Sequence, residues 1–102
     1  MKVEKWDRKK DGAFSEEALR SKLENKGYHV SRYVYPPGTN FPDHTHGIDK
    51  IDAVVSGRFR MTTKEGSVVL GAGDLLPVPR GTMHSAEVVG DKPVVSLDAT
   101  RA

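Results

Sequence analysis

The chain has 102 residues, a formal net charge of +2 and no cysteine. That length fits one domain with a modest core, and the lack of thiols excludes disulfides and thiolate metal ligands. The mild charge argues against nucleic-acid binding: basic residues gather at Lys2, Lys5, Arg8, Lys9 and Lys10, but no nucleic-acid motif accompanies them.

No stretch has the apolar length of a signal peptide or a bilayer span, so the expectation is a cytoplasmic protein without a membrane partner. In chain order, 2–6 alternates weakly and reads as an edge strand. Residues 15–26 read as a helix: Ser15 suits the N-cap, Glu16 and Glu17 the positive end, and Gly27 the C′ position. Ala18, Leu19 and Leu23 give that helix a narrow apolar stripe. From Gly27 onward the character changes to short strands, expected at 28–35, 51–56, 58–63, 67–70, 74–78, 84–89 and 94–99. Glycines and prolines punctuate them, and Lys64-Glu65-Gly66 reads as a hairpin tip. Many short strands with frequent turns predict an all-β sandwich or barrel. Residues 1–29 read as an N-terminal strand and helix extension and 30–102 as the barrel, one domain overall.

Three of the four histidines fall in two glycine–proline frames. The first runs from Gly38 through Pro42, His44 and His46 to Gly57; the second runs from Gly73 through Pro77, Pro79 and Gly81 to His84. His44 and His46 are two apart, and on a strand such residues share a face. His84 is distant in sequence and reaches them only in a folded barrel. Imidazole suits Fe, Ni, Cu and Zn, with Mn at mixed sites, so one divalent transition metal is the expected cofactor. His29 belongs to neither frame and is left out.

These frames resemble the two motifs of the cupin superfamily. Gly38, His44, His46 and Gly57 match the first at its spacing, and Gly73, Pro79, Gly81 and His84 match the second. The short stretch 58–72 between them is similar to that of small bacterial single-domain cupins. The resemblance covers roughly 30–99. It implies a double-stranded β-helix, the jelly-roll cupin barrel, with His44, His46 and His84 as metal ligands and Gly81 allowing the turn that brings His84 inward. It also implies a homodimer, in which 2–6 serves as an exchanged edge. Two positions depart from the pattern. Lys50 stands where cupins usually have a glutamate ligand, and Val88 where they often have asparagine. The set resembles the three-histidine centre of thiol dioxygenases rather than the three-histidine, one-glutamate centre of oxalate-acting cupins.

An inward Lys50 faces a cost. Its charge and a divalent ion about 5 Å away repel by roughly 7 kcal/mol at an effective dielectric of 20. Three arrangements answer this. Lys50 pairs with Asp52, its i+2 neighbour, beside the metal and orients a ligand or shuttles a proton; Lys50 snorkels to solvent; or Asp52 itself becomes a metal ligand. Phe59 and Met61 should fill the barrel, leaving Arg58 and Arg60 on the other face, where they bind an anion only if that face is the inner one. Tyr33 and Tyr35 share a face and line a pocket or a dimer contact, Arg80 and Met83 flank the second turn, and Asp43 caps the loop before His44.

Two functions follow. One is a metal-dependent enzyme of dioxygenase or isomerase type acting on a small polar molecule. The other is a non-catalytic ligand-binding or sensory module. A structural metal is disfavoured because a closed site wants a fourth protein ligand.

Overall fold

The computed structural model describes all residues 1–102. After two helices, α1 (Arg8–Asp11) and α2 (Glu16–Asn25), the chain forms eight strands: β1 (His29–Tyr35), β2 (Asn40–His44), β3 (Asp49–Ser56), β4 (Phe59–Thr63), β5 (Gly66–Leu70), β6 (Leu75–Val78), β7 (His84–Val88) and β8 (Val94–Arg101). They make two four-stranded sheets, ordered β1-β8-β3-β6 and β2-β7-β4-β5, with every pairing antiparallel. This is a jelly-roll β-sandwich.

Two cores result. Between the sheets lie Val54, Phe59, Met61, Leu70, Leu76, Val78, Ala86, Val88 and Val94. On the outer face of the first sheet, Leu19 and Leu23 of α2 pack with Ile51, Ala53, Leu75, Leu97 and Ala99. Strand β3 therefore has both faces covered. Ile51 and Ala53 meet the helix, while Lys50, Asp52 and Val54 alternate toward the barrel interior.

The expected helix forms with its expected cap: Ser15 Oγ accepts a hydrogen bond from the Ala18 amide at 3.0 Å. The hairpin turns at Lys64 and Glu65, with Thr63 opposite Gly66. Residues 2–6 do not form the expected strand. Only Glu4 pairs, exchanging two backbone hydrogen bonds with Leu75 at the edge of β6. Trp6 then leaves the edge, donating to the Gly12 carbonyl and packing on Phe14. That detour contains α1, a single turn capped by Asp7 and too short to leave a periodic pattern.

Strand β2 was not foreseen either. It contains Pro42, which an edge strand tolerates because its missing N–H faces away from the ladder. Gly57 is required where β3 turns into β4: its φ is +84°, and a Cβ there would stand 2.3 Å from the Pro93 carbonyl oxygen.

Candidate metal centre

His44 is the last residue of β2 and lies opposite His84, the first of β7. His46 lies beyond β2, so a shared strand face is not what joins it to His44. A register shift between Phe41 and His44 bends the strand end, and the loop returns His46 to the cluster. The Gly81 amide fastens that loop by donating to the His46 carbonyl at 2.9 Å. Gly81 has φ +79°, so it makes the turn expected of it and links the two sequence frames directly.

The three rings converge. Their centroids are 4.2 Å apart for His44 and His84, 4.7 Å for His44 and His46, and 5.1 Å for His46 and His84. One nitrogen from each lies within 4.8 Å of the others. Backbone carbonyls fix two tautomers. His44 Nδ1 is 2.7 Å from the Pro42 oxygen and His84 Nδ1 is 2.9 Å from the Thr82 oxygen. A carbonyl only accepts, so each Nδ1 carries the proton and each Nε2 keeps its lone pair for a metal. His46 Nε2 is buried without a hydrogen-bond partner. Burial holds the His46 and His84 rings below the usual histidine range, and the Lys50 charge adds to the effect at His46. Neutral imidazole is the form that binds a metal. The donor set and the orphaned nitrogen thus fit a divalent transition metal, held by three histidines without a protein carboxylate.

Lys50 does not snorkel: it pairs inward with Asp52, as expected, and more closely with a second aspartate. Its side chain is 11% exposed, and Nζ lies 2.8 Å from Asp98 Oδ1 against 3.9 Å from Asp52 Oδ1. The contact with Asp98 is an ion pair, and Asp98 Oδ1 has no hydrogen-bond partner. Asp98 sits directly opposite Asp52 across β8 and β3. Burial, reinforced by Asp98, pushes the Asp52 carboxyl up to about 7 against the pull of Lys50. Burial also pushes the nearby Tyr35 hydroxyl up to about 12, with Asp98 and Asp52 adding to it. Asp52 lies outside the cluster that the three histidine nitrogens form. Asp98 was missed in the sequence. Its signal was the polar pair Ser96 and Asp98, two apart among Val94, Val95, Leu97 and Ala99 and so on one face.

The remaining candidates separate by face. Phe59 and Met61 fill the barrel as expected, which leaves Arg60 on the outer surface, paired with Glu87. Tyr35 packs inward on Phe41 and Phe59, with Tyr33 stacked beside it. Asp49 accepts from the Arg80 amide at 3.0 Å and so ties the second turn to β3; that bond is the main reason its carboxyl is held low. Asp43, Arg80 and Met83 line a cavity of about 870 Å³ that also borders His84, Met61, Leu76 and Val78.

Known proteins match this architecture. A cupin protein from Bacteroides fragilis is 25% identical with a TM-score of 0.62, over 72% of this chain and 64% of that one. Bacillus subtilis oxalate decarboxylase, in a study of its Mn(II) centres, is 27% identical with a TM-score of 0.62, over 70% of this chain and 20% of its own. The DMSP lyase DddQ from Ruegeria pomeroyi DSS-3 is 26% identical with a TM-score of 0.62, over 72% and 38%. The matched region is thus less than two thirds of each of these proteins. No curated protein matches the sequence. The family model described as "Cupin domain" matches residues 31–100, and the chain belongs to the cupin family.

Proposed function

We propose that this cupin is a metal-dependent enzyme of dioxygenase or isomerase type acting on a small polar molecule. The observation that carries the reading is the convergence of three imidazoles, two with Nε2 freed by backbone hydrogen bonds, without a fourth protein ligand. A three-ligand site leaves positions for a substrate, as catalytic rather than structural sites do. His44, His46 and His84 would hold the ion. When bound, a divalent metal supplies Lewis acidity toward a carbonyl or enediolate oxygen or, if redox-active, access to dioxygen chemistry.

The chain's own residues do the rest. Lys50 presents a fixed positive charge beside His46 and orients a ligand, held in place by Asp98. Asp52 retains a proton up to about neutral pH and can give it up or take it back at its carboxyl. Two of the similar proteins support the enzymatic reading, since they are named as an oxalate decarboxylase and a DMSP lyase. A homodimer belongs to the same reading, supported by Tyr33 and Val34 standing exposed on the edge strand β1.

The second reading, a ligand-binding module without turnover, is favoured by the burial of His84, which is only 2% exposed. The experiment that separates the two loads metal-free protein with Fe, Mn, Ni, Cu or Zn in turn. Oxygen uptake or product formation that depends on an added small molecule supports the enzyme. Tight binding without consumption under every metal supports the module.

A further inference from the structure

The charges inside the barrel do not balance. Asp52 and Asp98 stand directly opposite each other on β3 and β8, on the face turned away from α2. Lys50 is the one cation that pairs with either, at 2.8 Å from Asp98 Oδ1 and 3.9 Å from Asp52 Oδ1. Two carboxylates therefore share a single ammonium. Asp52 is buried, and its neighbour on the other side, Leu76 of β6, offers its side chain no hydrogen bond. One negative charge is left over, and burying an unanswered charge costs more than taking up a proton.

The other titratable groups that face the pair do not supply the missing charge. Tyr35 on β1 is an acid pushed up to about 12, first by burial and then by these two carboxylates, and it stays neutral. His46, in the loop after β2, feels both Lys50 and Asp98, and burial followed by the Lys50 charge keeps its ring in the neutral form. Asp98 Oδ1 has no hydrogen-bond partner, so the Lys50 contact leaves this carboxylate with acceptor capacity for an O–H donor. A protonated Asp52 is such a donor, and it faces Asp98 across the strand pair.

We propose that Asp52 and Asp98 hold one proton between them, with Lys50 answering the single negative charge that remains, and that this pair rather than Asp52 alone is the acid–base group of the barrel. In the shared state the O–H of one carboxyl donates to an oxygen of the other. When the proton leaves, the pair carries two negative charges against one ammonium. Like charges this close do not both ionise readily, which is why two facing carboxyls titrate as a unit. Asp98 is then a positioning residue: it holds the proton on Asp52 and fixes the Lys50 ammonium. This deepens the proton-holding role given to Asp52 above. It needs neither metal nor turnover, so its failure leaves the metal-centre reading standing.

The test is a pH titration of the metal-free full chain by carbon NMR, with carbon-13 in the aspartate carboxyls. The Asp52 and Asp98 carbons should move together in one common step near neutral pH, by comparable amounts. In Asp98→Asn, Asp52 loses a like charge and has Lys50 to itself, so its proton affinity should fall at least about tenfold. Asp52→Asn decides the matter from the other side, and does so alone if Asp98→Asn does not fold. It leaves one carboxylate for one ammonium, so the step near neutral pH should vanish from Asp98. An Asp98 carbon that is silent while Asp52 titrates overturns the proposal. So does an Asp52 step that Asp98→Asn leaves in place, because burial alone would then hold the proton. A neutral step that persists on Asp98 in Asp52→Asn overturns it as well, since the proton would be Asp98's own.

Discussion

Lys50 Nζ stands 2.8 Å from Asp98 Oδ1 inside the barrel, with the Lys50 side chain 11% exposed and that of Asp98 20%. Lys50 lies on the sequence position where a cupin usually has a metal-binding glutamate, and Asp98 supplies its countercharge from the neighbouring strand of the sheet. Removing Asp98 leaves Lys50 with only the more distant Asp52, and removing Lys50 leaves Asp98 without a countercharge. Asp98→Asn should cost about 3 kcal/mol of stability. The double variant Lys50→Met, Asp98→Asn should recover most of it. Urea unfolding of the two single variants and the double measures the coupling, and simple additivity would contradict the pairing.

Asp52 predicts a pH effect of definite sign. Its carboxyl is raised from an ordinary value of 3.8 to about 7. Between those values the folded chain holds a proton that the unfolded chain has lost, so this group favours folding less as pH rises through the window. Above about 7 it is ionised in both states and its burial cost is present in full. Asp52→Asn should therefore stabilise the metal-free protein at pH 8 by on the order of 2 kcal/mol and lose most of that advantage at pH 4. Thermal unfolding at the two values checks it; an equal effect at both would contradict it.

His46 and His84 act in the opposite sense. Their folded values lie below the usual 6.5, so the unfolded chain takes up their protons first as pH falls. Their contribution to stability is present above about 6.5 and is lost on acidification through the lowered folded values. Zinc or cobalt affinity should fall in the same range, because protons and metal compete for the same nitrogens. Metal titrations at pH 7.5 and 5.5 should differ by at least about tenfold.

Two glycine substitutions should separate folding from metal binding. In Gly57→Ala the new methyl would meet the Pro93 oxygen at 2.3 Å, so the main effect is on stability, about 2 kcal/mol or more. Gly81 has open space for a methyl but sits at φ +79° and donates to the His46 carbonyl. Gly81→Ala should cost less stability, about 1 kcal/mol, and should weaken metal affinity. Chemical denaturation and competition with a chelator read the two effects separately.

Much of this was legible in the sequence where one local pattern decided the matter. Ser15, the two glutamates after it and Gly27 marked α2 to within a residue at each end. Alternation along β3 put Lys50 and Asp52 on one face, and both point inward. What escaped depended on distant parts of the chain. The partner of Lys50 was sought at i+2, while the nearer charge is Asp98, which only the β3–β8 register brings alongside. A shared strand face was the route considered for joining His46 to His44, but the bulge in β2 and the Gly81 hydrogen bond, both tertiary features, position His46 from a loop. Residues 2–6 alternate like a strand, yet Trp6 turns away to pack on Phe14, which leaves a single bridge at Glu4.

The most direct measurement of the central claim is the transition-metal content of untagged protein by inductively coupled plasma mass spectrometry, with His84→Ala prepared in parallel. The account predicts near-stoichiometric metal in the wild type and its loss in the variant. Metal-free protein in both, even after incubation with each candidate ion, would contradict it: Lys50 would then have disarmed the three-histidine cluster, and the barrel would be a metal-free binding module.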